Sequence, residues 1–337
     1  MISNTAKKTI IYILLIIQLL LIPLFSVLIF SYSIEDVYSY SYARVLERQY
    51  NYLRDMKDES KIIIVGTSST SFGFDEIGVQ KIENYFNKKV VLFGNYAAIG
   101  NTCILDWVED YVKEGDIVVY MYEIYDAAMY IGFDGEVAVT ASYKNLTMFN
   151  NLSLENKFQY ISALPKFYKN TLSHDISDVD DELYPWFRIK AFNENGVMIY
   201  QRLENIMEER YDPEDVAAID KSIIRDEFAS YVASWANGLR KKGASAYFRY
   251  GLIDDLARAQ VNTDEKLDEF EKAWEEATTL KPVNHLKDAY LTWEYFFDGN
   301  YHLNSYGDIH LASAFIHDLE QAIYGYSDYP ILYPLGR

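Results

Sequence analysis

The chain predicts an α/β fold, a three-layer α/β/α sandwich around a mainly parallel sheet, and three observations carry that expectation. Residues 62–65, Ile-Ile-Ile-Val, are apolar and β-branched without a break, the pattern of a strand buried on both faces. Short apolar runs return at 90–93 and 117–122. Between them lie stretches with apolar residues at helical spacing. Strand, helix, strand, helix, strand in this order argues for right-handed crossovers within one sheet.

The N-terminus differs in kind from the rest. Residues 10–30 are almost wholly apolar, interrupted by Gln18, Pro23 and Ser26, and about 20 such residues span a bilayer core. Lys7 and Lys8 precede the run, while Glu35 and Asp36 follow it. The positive-inside bias therefore orients residues 1–9 as a cytoplasmic tail and puts everything after the span outside the cell. The run is longer than a usual signal-peptide core and no A-x-A site follows, which favours an uncleaved anchor over a cleaved leader. Residues 31–60 are Tyr-rich and then charged. They read as a juxtamembrane helical stalk whose charges form a solvated face.

The globular part, 61–330, opens with the strand at 62–65, which Gly66 is expected to end. A helix is expected at 74–86, with Ile77, Val79, Ile82 and Phe86 as its apolar positions. After the strand at 90–93, Gly100 and Asn101 open a helix to about 113, and Gly115-Asp116 turns into the third strand. Residues 134–220 are less regular, with helical pieces such as 197–210. They read as an insertion, a lid or substrate-facing wall. Alternation then resumes with a helix at 222–242 ended by Gly243, a strand at 246–250, a helix at 263–277 and an apolar helix to about 323.

Composition excludes some classes of function. The 337 residues carry a formal net charge of −19, which disfavours nucleic acid and anionic lipid surfaces as partners. A neutral glycan or a cationic partner remains compatible. Cys103 is the single cysteine, so no intrachain disulfide forms and an exported domain must rely on its core. The 31 tyrosines suit sugar stacking, and equally suit strands and interfaces.

Two patches carry candidate chemistry. Thr67-Ser68-Ser69-Thr70-Ser71 follows the first strand and Gly66. The carboxyl end of a strand in an open parallel sheet is where ligands sit, so a hydroxyl there suits a nucleophile. A plain polar turn with a helix cap fits the same residues. Near the end, Asp298-Gly299-Asn300-Tyr301-His302 precedes the last helix. A serine nucleophile needs a base, and the base needs a carboxylate to fix its tautomer. Asp298 and His302 supply both, although a turn aspartate beside a packed histidine would look alike.

Taken together, the order of Gly66-Thr67-Ser68 after the first strand, Asn95 through Thr102 after the second, and Asp298 with His302 before the last helix resembles the SGNH (GDSL-type) hydrolase superfamily. The resemblance covers about 60–125 and 222–325. It implies an SGNH/flavodoxin-like sheet with Ser68 as nucleophile, His302 as base and Asp298 as its orienting partner. The backbone N–H groups of Ser68 and Gly100 would form the oxyanion hole. Asn101, Glu123 and Asp126 are candidate substrate-binding residues. Neither a cofactor nor a metal is implied. Three departures stand out. Thr67 replaces the usual Asp before the serine, and three residues instead of two separate Asp298 from His302. The third block reads Tyr122-Glu123-Ile124-Tyr125-Asp126, without the oxyanion asparagine. With a membrane anchor, the pattern looks most like the anchored SGNH-like proteins of bacterial envelopes, which assist D-alanylation of teichoic acids or O-acetylate exopolysaccharides. The expectation is a serine acyltransferase or esterase at the cell membrane, facing outward, acting on acetyl or D-alanyl esters. Its partners would be a cell-surface glycan or acyl-carrying donor, a membrane acyltransferase and the lipid bilayer, with no nucleic acid. The alternative is a domain that kept this fold, lost efficient catalysis and now serves binding or assembly.

Overall fold

A computed structural model of the chain describes residues 7–19, 22, 38–95, 99–124, 129, 131–173, 184–211 and 218–330. Five parallel strands form the central sheet: β1 (Lys61–Thr67), β2 (Lys89–Asn95), β3 (Ile117–Met121), β4 (Ser245–Phe248) and β6 (Lys281–Pro282), in the order β2-β1-β3-β4-β6. A separate parallel pair joins β5 (Ile253–Asp254) to β7 (Tyr290–Leu291).

Every residue of β1 is buried, as its unbroken apolar run requires. The alternation of a strand then divides its side chains between two helical layers. Ile63 and Val65 enter a core with α1 (Val45–Asp55), α4 (Asn101–Glu109), α8 (Asp226–Lys241) and α10 (Asp264–Thr278). Ile62 and Ile64 enter a second core with α3 (Glu76–Phe86) and α11 (Ser305–Tyr324). The α/β architecture with helices on both faces is thus present as expected.

Three expectations are corrected. The strand does not end before Gly66; it continues through Thr67. Gly66 pairs in register with Met121, and a Cβ on it would lie 1.9 Å from the Met121 carbonyl oxygen. Glycine is there for close strand approach and not as a stop. The charged segment expected as a stalk is, over α1, part of the domain. Val45, Leu46, Tyr50 and Leu53 are fully buried, because these four positions recur at helical spacing on one face. Third, 197–210 is not helical. Its backbone groups bond elsewhere: Ile199 and Tyr200 N–H donate to the Ala191 carbonyl, and Ile206 N–H donates to that of Phe297. Tertiary pairing here overrides local periodicity.

The insertion between β3 and α8 is more helical than its sequence suggests. It contains α5 (Gly135–Ser142), α6 (Leu146–Asn150) and the long α7 (Leu154–Ser173). Residues 7–19 are helical, with their apolar side chains exposed. Among the described residues no helix is long and apolar enough to cross a membrane. Much of the expected span, 20–21 and 23–30, lies outside the described residues, as do 31–37 of the expected stalk.

A buried ion pair fixes the foot of the sheet. Lys61 Nζ donates to Asp116 Oδ2 at 2.8 Å, and both side chains are fully buried. The same carboxylate accepts from the N–H groups of Lys61 and Lys113, so its lone pairs are used.

Gly66→Ala should lower the free energy of unfolding by about 3 kcal/mol, the upper part of the usual overpacking range. The midpoint of urea denaturation reads this directly, and an unchanged midpoint would contradict the close β1–β3 approach.

Candidate active site

The site forms at the carboxyl ends of β1 and β3, next to the loop before α11. After β1 the chain turns at once into a one-turn helix, α2 (Ser68–Ser71), with Thr67 in extended conformation before it. The hydroxyls of this run divide by task. Thr70 Oγ1 donates to the Met121 carbonyl at 3.1 Å. Ser71 Oγ donates to the Gly94 carbonyl and accepts from Gln49 Nε2. Thr67 and Ser69 hydroxyls meet each other at 3.2 Å. Those groups stitch the turn to its neighbours, and Ser68 alone of the five reaches the His302 imidazole.

Ser68 Oγ lies 2.8 Å from His302 Nε2. His302 Nδ1 lies 2.7 Å from Asp298 Oδ1. The three expected catalytic residues, 234 positions apart at the extremes, therefore meet in hydrogen-bonded sequence. The Asp–His spacing of four works because the intervening loop folds back: Phe297 N–H donates to the His302 carbonyl. Asn304 then caps α11 by accepting from the N–H groups of Tyr306 and Gly307. His302 keeps 18% of its side-chain surface exposed.

Several supporting residues escaped sequence reasoning. Phe72 stacks on the imidazole, with centroids 4.4 Å apart and planes at 15°. Trp186 Nε1–H donates to Asp298 Oδ2 at 3.1 Å. The Arg202 guanidinium donates to the carbonyls of Phe72 and Leu303 and pairs with Asp308. Trp186 and Arg202 both come from the insertion, so that segment does help to build the site. Their signal in the sequence, a lone Trp and a lone Arg in irregular surroundings, gave no spacing to read.

Glu123 stands just past β3, in the block that lacks the asparagine of the pattern it resembles. It is 6% exposed. Its Oε1 accepts from Ser69 N–H at 2.9 Å and lies 3.1 Å from Ser68 Oγ. The Tyr301 hydroxyl donates to the next carbonyl, that of Ile124, tying this segment to the histidine loop.

The remaining expected residues sit as follows. Gly100 precedes α4 with φ +92°, and a Cβ there would lie 1.8 Å from the Gly132 carbonyl oxygen, so glycine is required on both counts. Asn101 is 2% exposed, and its side-chain oxygen accepts from the Tyr120 hydroxyl at 3.0 Å. That corrects its assignment to substrate binding: it anchors α4 on the sheet. Asp126 lies outside the described residues. Among the described residues no group of three or more His, Cys, Asp or Glu is arranged to hold a metal ion.

The charges around His302 compete. Burial pulls its pKa down, but the Asp298 carboxylate and the hydrogen bond to it push up more strongly, helped by Glu123 and opposed by Arg202. The net result is a pKa above the ordinary imidazole value. The chain matches no protein-family model and no curated protein.

Two outcomes follow. A base must be neutral, so reactivity of Ser68 toward an acyl-ester probe should climb with pH through a midpoint above about 6.5. The accompanying stability runs the other way: a raised imidazole pKa stabilises fully below about 6.5 and is lost as pH rises through the folded value. Trp186→Phe removes one donor to the Asp298 carboxylate, worth about 1.5 kcal/mol or more. Stopped-time labelling of Ser68 should slow about tenfold, alongside a fall of a few degrees in thermal midpoint.

Proposed function

We propose that this chain is a membrane-anchored, extracytoplasmic serine acyltransferase or esterase of SGNH type, acting on ester-linked acetyl or D-alanyl groups of a cell-surface polysaccharide or teichoic acid. The observation that carries the reading is His302 bridging Ser68 and Asp298 through its two ring nitrogens at 2.8 and 2.7 Å. The sheet order supports the SGNH/flavodoxin-like reading, since the nucleophile follows β1 beside the point where strand order reverses.

In this reaction Ser68 attacks the ester carbonyl while its proton passes to His302 Nε2. Asp298 accepts the Nδ1–H bond and stabilises the imidazolium. The backbone N–H groups of Ser68 and Gly100 receive the oxyanion. The imidazolium then protonates the leaving alcohol, and water or a glycan hydroxyl takes the acyl group from Ser68. An anchor through 10–30 is supported by residues 7–19, which are helical and present Ile10, Leu14, Ile17 and Leu19 outward at 44–70% exposure. A helix apolar all round suits lipid better than water. A membrane acyltransferase that delivers the acyl group is the expected partner.

A second reading, a catalytically weakened binding or assembly protein on this fold, is favoured by one observation. A carboxylate, which cannot donate hydrogen bonds when ionised, sits where a donor was expected.

The discriminating experiment is fluorophosphonate labelling of the detergent-solubilised full chain, with the adduct mapped by mass spectrometry. Wild type should label at Ser68, and Ser68→Ala should abolish labelling with its melting curve intact. Labelling that persists in Ser68→Ala would remove the mechanism. Absence of any adduct on wild type would favour the binding reading.

A further inference from the structure

Proton counting at Ser68 leads beyond the triad. Ser68 has one hydroxyl proton and two acceptor groups within reach, His302 Nε2 at 2.8 Å and Glu123 Oε1 at 3.1 Å. With Nδ1–H given to Asp298, a neutral imidazole has a bare Nε2. One proton cannot then satisfy both contacts. A second proton satisfies them in one way that keeps Glu123 an anion: His302 becomes the imidazolium and donates to Ser68 Oγ, while the Ser68 hydroxyl donates to Glu123. In that arrangement the base is already protonated and the nucleophile's proton points away from it.

Glu123 Oε1 also occupies a particular place. An oxyanion hole holds its donors 2.7–3.1 Å from the developing oxygen. Glu123 Oε1 lies 2.9 Å from the N–H of the residue after the nucleophile and within contact of the nucleophile itself. The carboxylate thus takes Ser69 N–H, a further backbone donor beside those of Ser68 and Gly100 that would otherwise face a substrate carbonyl. Its position is built: the Thr70 hydroxyl holds the Met121 carbonyl, and Tyr301 holds that of Ile124.

Resting on the assignment of Ser68 as nucleophile, we propose that the Glu123 carboxylate is a gate on the oxyanion position, holding the site in a closed resting state until an incoming acyl ester displaces it. On displacement Ser69 N–H turns to the substrate carbonyl oxygen. The His302 imidazolium first gives its Nε2 proton to water; the Ser68 O–H bond then breaks toward that neutral Nε2 as the Oγ–C bond forms and the carbonyl π pair moves onto oxygen. Collapse of that oxyanion breaks the ester C–O bond, and the imidazolium proton goes to the departing alkoxide. Glu123 gives and takes no proton in this sequence; it acts by vacating a donor.

The gate predicts rates that a structural carboxylate would not. Glu123→Gln keeps the shape and removes the charge, and Glu123→Ala removes the occupant. Both should label with fluorophosphonate at least tenfold faster than wild type at neutral pH, since one oxyanion donor is worth about 100- to 1000-fold. The acid limb of the pH profile should also move to lower pH in both. The charged groups facing His302 are Asp298 from its own loop, Glu123 from the end of β3 and Arg202 from the insertion, and only the second is altered. Rates no faster than wild type in both variants, with Ser68 still labelled, overturn the gate and leave the nucleophile standing. A slower Glu123→Ala with an unchanged Glu123→Gln overturns it in favour of a donor role. Absence of a Ser68 adduct in wild type and both variants overturns the gate together with the acyl chemistry beneath it.

Discussion

The close approach of Gly66 to the Met121 carbonyl is the constraint from which the site follows. β1 and β3 are register partners there, and no side chain fits between them. Because the strands stay tight to their last residues, Ser68 and Glu123 leave the sheet side by side. The same tightness explains why the hydroxyl run is spent locally. Thr70 must satisfy the Met121 carbonyl, and Ser71 must satisfy that of Gly94, since buried carbonyls left unpaired cost about 1–3 kcal/mol each. Ser68 is what remains after the fold has used its neighbours.

The other half of the site depends on a buried cation. Arg202 and Asp308 are both fully buried, and burial holds the Asp308 carboxyl well above its usual range despite the guanidinium beside it. Such a pair is costly to break from one side, about 3–5 kcal/mol. Its return is geometric. One guanidinium donates to Phe72 in the nucleophile turn and to Leu303 next to the histidine, and it lies over the Phe72 ring, 5.3 Å from its centroid. Arg202, Phe72 and His302 form a stack that fixes the imidazole plane. The insertion is therefore part of the scaffold that holds Ser68, His302 and Asp298 together, through Arg202 on one side and Trp186 on Asp298.

What could be read from the sequence was what local pattern encodes. The runs at 62–65, 90–93 and 117–122 gave strands, because apolar β-branched residues have few other places to go. Ser68, Asp298 and His302 were legible because order along the chain survives folding into strand ends. Residues whose role depends on a distant partner were not. Asn101 looked like a ligand-facing residue until Tyr120 took its oxygen. Segment 197–210 has a helical spacing, but its N–H groups find carbonyls in other segments. Lys61 gave no hint of burial, since its partner Asp116 comes 55 residues later. The charges of α1 concealed a buried face whose apolar residues recur every third or fourth position.

Glu123 is where the chain departs most sharply from the pattern it resembles, and magnitudes say how much the departure matters. An asparagine there would add a donor to the oxyanion. A fixed carboxylate instead adds a like charge. Two unit charges about 4 Å apart repel by about 4 kcal/mol at an effective dielectric of 20, or about 1000-fold in rate, comparable to the loss of the donor itself. A triad with perfect distances would then be slow as long as the carboxylate stays in place. The same carboxylate adds to Asp298 in raising the His302 pKa, which weighs against the neutral imidazole that a general base must be. Under the proposed gate, the rate would be set by how readily Glu123 leaves Ser69 N–H, and a substrate would gain selectivity by supplying the free energy to displace it.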